Sequence, residues 1–281
     1  MVQKIIPDVI SNQKLQTLDP DASVKAAASL MGSNRISAIL VLKNDVIKAV
    51  EKASKLVIRD FGEVEKLQVS NKGPRDFVTK TDKNVEKILI EELNKAKKNY
   101  SFISEEIGEI NNKDKENVWI LDPIDGTTNF LHGIPHFAIC VALQSKKEII
   151  SGLIFDPIKD EIFFAEKDKG AFLNNQRLRV SKKNLLDNCL FGSNDEGVKY
   201  CNLNMRYSGC AALDLAYVAA GRLDGCFHNR INLWDVAAGS LMVKEAGGIV
   251  NDILNFDKNN INIKASSDAI NDKMLENLKN F

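Results

Sequence analysis

Between Trp119 and Phe130 the chain reads Trp-Ile-Leu-Asp-Pro-Ile-Asp-Gly-Thr-Thr-Asn-Phe. No other stretch restricts the fold as much. A short apolar strand ends on two aspartates three apart, Pro123 stiffens the bend, Gly126 permits a turn, and Thr127 or Thr128 can open a helix. Such a strand end can bring Asp122, Asp125 and the Ile124 carbonyl to one side of a turn, and all three are hard oxygen donors suited to Mg²⁺. It also offers backbone N–H groups nearby, where a phosphate oxygen could bind. Either aspartate alone would read as a cap or an Asx-turn; the whole string does not.

The flanking sequence supplies a sheet around that strand. Val118 to Leu121, Phe137 to Leu143, Ile149 to Phe155 and Glu161 to Ala165 read as strands, Asn174-Asn175 as a turn, and Asn111 to Asn117 as a polar loop. Val46, Val50, Ala53 and Val57 form one face of a helix that starts at Asn44 and ends near Phe61-Gly62. Val85, Ile88, Leu89 and Leu93 form the apolar side of a second helix. Further helices are expected over Ala211 to Ala220 and Asp235 to Ala246, the latter closed by Gly247-Gly248 ahead of a strand at Ile249-Val250. The first 43 residues differ. Pro7 to Ile10, Leu15 to Met31 and Arg35 to Val41 suggest strand, capped helix, strand, which resembles the first half of a CBS motif. Paired CBS motifs often bind adenosine nucleotides, but here even one copy is cut off after its second strand. The expected organisation is therefore an appendage over 1–43 and a main domain over 44–281.

Composition removes several function classes. Thirty-eight Lys and Arg balance 38 Asp and Glu, so no overall field attracts nucleic acid or acidic lipid. Apolar runs such as Ile36 to Leu42 fall short of the ~20 residues a bilayer needs, and Met1 to Ile10 lacks a signal-peptide core. A cytoplasmic location without membrane partner is expected. The five cysteines include no CxxC pair and read as reduced thiols. His132 and His136 have the spacing of a helical zinc pair, but Gly133 and Pro135 between them argue against a helix.

Two more acidic sites extend the first. Glu105 and Glu106 follow the apolar run Tyr100 to Ile103, where adjacent carboxylates repel unless a cation lies near. Asp235, in Leu233-Trp-Asp-Val-Ala-Ala-Gly239, sits at a plausible N-cap in apolar surroundings. Asp76-Phe-Val-Thr-Lys-Thr-Asp82, Glu105-Glu106, Trp119 to Phe130, Gly209-Cys-Ala-Ala-Leu-Asp214 and Trp234-Asp-Val-Ala-Ala-Gly239 come in that order, and from about Asn44 onward the chain resembles the inositol monophosphatase family of Mg²⁺-dependent phosphatases.

The resemblance implies an α/β (α+β) fold, a layered αβαβα sandwich, a homodimer, inhibition by Li⁺, and two or three Mg²⁺ ions. It implies that Glu105, Asp122 and the Ile124 carbonyl hold one ion and that Asp122, Asp125 and Asp235 hold another. Asp82 and Thr127, with Glu105, would serve the attacking water. Gly126, Thr127, Thr128, Gly209, Ala211, Asp235 and His228 would face the substrate. That substrate would be a small phosphorylated metabolite, first of all inositol monophosphate; fructose 1,6-bisphosphate, 3'-phosphoadenosine 5'-phosphate and histidinol phosphate are the runners-up. A family member kept for protein or RNA contacts is the alternative of another class, although the neutral charge speaks against nucleic acid. The chain departs from the pattern at His228, where inositol-cleaving members carry a Glu, and a surface histidine without a role is an open alternative there. It also departs in a shortened segment from Cys189 to Tyr207, where Ser193 is a loosely aligned substrate contact.

Overall fold

Val46, Ala49, Val50, Ala53 and Val57 recur every three or four residues and are all buried. They are the inner face of helix α1, Ile39–Phe61. The computed structural model describes residues 39–63, 69–73, 76–195, 203–251 and 259–278. Helix α1 begins before Asn44, so Ile39 to Val41, expected in a strand, lie in its first turn; a short apolar run suits either period. The rest of the CBS-like stretch lies outside the described residues.

Strands β1, Val69–Gly73, and β2, Asp76–Thr79, pair antiparallel, and β2 runs directly into helix α2, Lys80–Ala96. Its buried face carries Asp82, Val85, Glu86, Leu89 and Leu93, while Ile88 is half-buried. The Thr81 hydroxyl donates to Asp60 Oδ2 at 2.7 Å, and Lys52 Nζ meets Glu92 Oε1 at 2.6 Å, so α1 and α2 form one layer.

These helices cover a sheet built from β3 (Tyr100–Ser104), β4 (Gly108–Ile110), β5 (Asp114–Asp125), β6 (Ala138–Ser145), β7 (Glu148–Asp156), β8 (Glu161–Glu166), β9 (Gly170–Leu173) and β10 (Gln176–Arg177). The spatial order is β10-β9-β8-β7-β6-β5-β3-β4. The four strands expected from apolar patterning are its centre. Asn174 and Asn175, with φ of 44° and 73°, make the left-handed turn that asparagine tolerates. The polar stretch expected as a loop is partly strand: β5 begins at Asp114, whose Oδ1 accepts from the Glu116 and Asn117 amides. An exposed, irregular strand end has no apolar alternation to betray it.

A second sheet has the order β12-β11-β13-β15-β14, from β11 (Leu190–Ser193), β12 (Asn204–Arg206), β13 (Gly225–Ile231), β14 (Gly248–Asn251) and β15 (Ile261–Ser267). Between the sheets lie α4, Ala211–Ala219, and α5, Leu233–Glu245, which follow a one-turn helix α3, Thr127–Leu131. Helices α4 and α5 each touch strands of both sheets. A middle layer must be apolar all round, and α5 buries Leu233 and every residue from Val236 to Val243. Gly152 lets α5 pack straight on the sheet, since a Cβ there would lie 2.8 Å from Ala238 Cα. Helix α6, Asn271–Leu278, packs on β15 and closes the αβαβα sandwich. No helix among the described residues is long and apolar enough to cross a membrane.

Candidate active site

Residues three apart on a regular strand point to opposite faces, so Asp122 and Asp125 could not act together on an unbroken β5. A bulge solves this. Asp122 pairs with Cys140 and Asp125 with Ala138, so three steps on β5 match two on β6. The extra residue, at Pro123 and Ile124, returns both aspartates to one face, and a proline without N–H is tolerated where the ladder is interrupted. Asp122 Oδ1 accepts the Ile124 amide at 3.0 Å, which fixes its rotamer.

Helix α5 brings Asp235 to the same point, and oxygens of Asp122, Asp125 and Asp235 all lie within 4.8 Å of one another. Asp235 is not the N-cap expected from sequence. That position is Asn232, and Asp235 stands three residues on, its Oδ2 accepting the Asn232 amide at 2.7 Å. Asp125 is held by α4: its Oδ2 accepts the Ala212 amide at 2.6 Å and the Cys210 thiol at 3.0 Å. Cys140, Cys189, Cys210 and Cys226 are free thiols. Glu105 leaves the end of β3, next to β5, and Asp82 is buried in the first turn of α2.

So many acids raise one another's proton affinity. Burial, then Asp235, Asp82, Glu106 and Asp125, push Glu105 up to about 9. Burial and Asp125 push Asp235 to about 7. Asp125 reaches about 6 through burial, opposed by the Cys210 thiol and Ala212 amide. Asp122, wholly enclosed, is driven well above the carboxylate range by burial and then by Glu105, Asp125 and Asp235. A group of hard, crowded oxygen donors of this kind fits a divalent cation such as Mg²⁺, which would take the place of the protons.

The turn beyond Asp125 is tightly specified. Gly126 has φ of 96°, and a Cβ there would meet the His136 carbonyl at 3.1 Å and Phe137 Cβ at 3.2 Å. Thr127 Oγ1 donates to the Ile124 carbonyl at 2.9 Å, the same oxygen expected to hold a cation. Gly126 and Thr127 are half-buried and Thr128 is exposed. Asn129 Nδ2 donates to the carbonyls of His136 and Ser208, both at 2.8 Å, and so ties Gly209, in a left-handed conformation at φ 78°, to this turn. Ala211 opens α4 beside it and is buried.

His228 is not a surface residue. It is 2% exposed on β13, with Nε2 3.3 Å from Asp214 Oδ2. Ser193 is buried and accepts the Asp195 amide. His132 caps α3 and His136 lies in the following loop, so they form no zinc pair. Four residues with a part in this arrangement carry no assignment from sequence: Glu86, Asn129, Cys210 and Asp214. Only Glu86 had a readable signal. An acid four residues after Asp82 on the buried face of a helix is costly unless it is held there.

The sequence profile of the inositol monophosphatase family matches residues 41–279. The inositol-1-monophosphatase of Rhizobium meliloti is 47% identical over 222 residues, which cover 74% of this chain and 84% of that protein. The Nus factor SuhB of Escherichia coli is 37% identical over 253 residues, covering 84% of this chain and 95% of that one. Among solved structures, the extragenic suppressor protein suhB from Bartonella henselae superposes with a TM-score of 0.81 at 43% identity, covering 86% of this chain and 99% of that chain. With an acid cluster at the end of β5 and this degree of likeness over most of its length, the chain belongs to the inositol monophosphatase family of phosphoric monoester hydrolases.

Proposed function

We propose that the chain hydrolyses a small phosphate monoester with Mg²⁺, first of all inositol monophosphate to inositol and phosphate. The observation that carries this reading is the convergence of Asp122, Asp125 and Asp235 within 4.8 Å, with Glu105 beside them. When bound, Mg²⁺ ions supply charge for the phosphoryl oxygens and lower the pKa of a water molecule. Glu105, Asp122 and the Ile124 carbonyl would hold one ion, and Asp122, Asp125 and Asp235 a second; a third is compatible with the family. Asp82 and Thr127 would orient the attacking water and take its proton. Gly126, Thr127 and Thr128 would present N–H and hydroxyl groups to the phosphate, with Gly209, Ala211 and His228 lining the side toward the rest of the substrate.

The working domain in this reading is 44–281, acting as a cytoplasmic homodimer, with 1–43 dispensable. The alternative of another class, a role limited to protein or RNA contacts, leaves the acid cluster without a task. A phosphate-release screen over inositol monophosphate, fructose 1,6-bisphosphate, 3'-phosphoadenosine 5'-phosphate and histidinol phosphate, with and without Mg²⁺, decides the matter. Mg²⁺-dependent release fastest from inositol monophosphate is expected. Preference for another ester replaces the substrate, and no release from any of them overturns the hydrolytic reading.

A further inference from the structure

Glu86 is fully buried on α2, one turn beyond Asp82. Its two carboxylate oxygens take different partners: Oε2 accepts the Glu106 amide at 2.9 Å and Oε1 accepts the Ile107 amide at 2.8 Å. Those amides belong to the three-residue loop between β3 and β4, closed by the Ser104–Gly108 pair with Gly108 at φ 82°. Glu105 opens that loop. With its amides turned inward, the loop leaves the Ile107 side chain 54% exposed. Burial and the neighbouring Glu106 raise the cost of keeping Glu86 ionised, and the two amides offset part of it.

We infer that Glu86 is a positioning residue for the cation site, a two-pronged clamp that sets where the Glu105 carboxylate stands by holding the next two amides. The inference rests on the reading above that Glu105 holds a cation. Two N–H donors on two oxygens require a carboxylate, because a carboxamide has one acceptor oxygen and would turn its NH₂ toward the second amide. Freed of its clamp, the loop has other ways to satisfy those amides, all of which move Glu105.

The test compares Mg²⁺ binding by calorimetry and Tb³⁺ binding by luminescence in the wild-type chain, Glu86→Gln and Leu93→Ala. Leu93 lies on the same buried face of α2, about two turns beyond Glu86, and its truncation costs stability. Glu86→Gln should weaken binding of both ions by about 10- to 100-fold, while Leu93→Ala stays within about twofold of wild type. In turnover, Glu86→Gln should raise the half-saturating Mg²⁺ concentration more than it lowers kcat at saturation. If Glu86→Gln does not fold, Glu86→Asp, which keeps both acceptors on a shorter arm, should show a smaller shift in the same direction. Unchanged ion affinity in the folded variant, or equal losses in the Glu86 and Leu93 variants, would overturn the clamp. Failure of the wild-type chain itself to bind either ion would overturn the cation reading first and the clamp with it.

Discussion

The first turn of α4 serves two carboxylates, Asp125 and Asp214, in opposite ways. Asp125 arrives from β5 and is met by the Ala212 amide and the Cys210 thiol. Asp214 belongs to α4 itself and faces a buried histidine, and among the described residues neither Asp214 Oδ2 nor either nitrogen of His228 has a hydrogen-bond partner. Each acid of the cluster is held by a backbone amide, which cannot be substituted away: Ile124 for Asp122, Ala212 for Asp125 beside the Cys210 thiol, Asn232 for Asp235. The His228 side rests on side chains alone. Substitution can therefore reach the second region more directly than the first.

The largest effect should come from Asp122, the most enclosed acid. Asp122→Asn keeps the oxygen that accepts the Ile124 amide, so the bulge survives, but a neutral amide binds a hard cation poorly. Turnover should drop by about a thousandfold or more at saturating Mg²⁺. At the same time the cation-free protein should gain thermal stability at pH 8, because an amide carries no cost of burying a charge or of holding a proton there. Retention of more than about a tenth of wild-type activity would remove Asp122 from its bridging position.

Next is the turn that aims these acids. Gly126→Ala forces a Cβ into the left-handed region and against the His136 carbonyl at 3.1 Å, with a cost of about 1–3 kcal/mol. Because Thr127 and Asn129 depend on this turn, kcat/KM should fall about 10- to 100-fold while the protein still folds. A variant with a lowered melting temperature and full activity would show that the turn's geometry does not matter to chemistry.

The two regions also differ in how far they can be read from sequence alone. The strand ending in Asp122 and Asp125 announces itself, since apolar patterning locates β5 and the Pro and Gly mark the bend. What makes those aspartates cooperate, the bulge, needs the partner register of Cys140 and Ala138. The sequence marks Asp235 as a helix start, one turn away from the true cap, because Asn232 can cap as well as Asp can. Asn129 donates to two backbone carbonyls, and a side chain's choice of a distant backbone group leaves no local pattern; Glu86 is legible as an acid on a buried helix face, but its choice of the Glu106 and Ile107 amides is not. The sequence leaves His228 open between a substrate contact and a surface residue without a role, because its burial on a strand depends on α4 packing from above.

A third, smaller effect concerns pH. Free carboxylates titrate near 4 in an unfolded chain, whereas Asp125, Asp235 and Glu105 are raised to about 6, 7 and 9 by burial and by one another. Between those limits the folded chain binds more protons than the unfolded one, so stability falls as pH rises. Without divalent cations, the melting temperature should decline by several degrees from pH 5 to pH 9. Mg²⁺ should flatten the decline and release protons on binding. A cation-free chain whose melting temperature is flat or rises over that range would contradict the crowding of these acids.

The smallest effect, and the one that best separates the two regions, is expected at His228. Glutamate is a poor probe here: its carboxylate would stand buried within reach of Asp214, and like charges in an enclosed site are costly. His228→Glu should therefore lower the melting temperature, which confuses any kinetic reading. His228→Gln supplies a donor and an acceptor on an uncharged side chain and leaves every expected cation ligand untouched. If the ring reaches a substrate hydroxyl, the change should alter KM for inositol monophosphate by the worth of one hydrogen bond, about 0.5–1.5 kcal/mol. Mg²⁺ dependence and kcat should stay within about twofold of wild type, because the acids are held by backbone amides and not by this side chain. Should kcat and Mg²⁺ affinity fall together, His228 supports Asp125, and the division between a fixed cation side and a variable substrate side is wrong. Identical constants for wild type and variant, on both a monophosphate and a bisphosphate, would take His228 out of substrate recognition and leave it as a packing partner of Asp214.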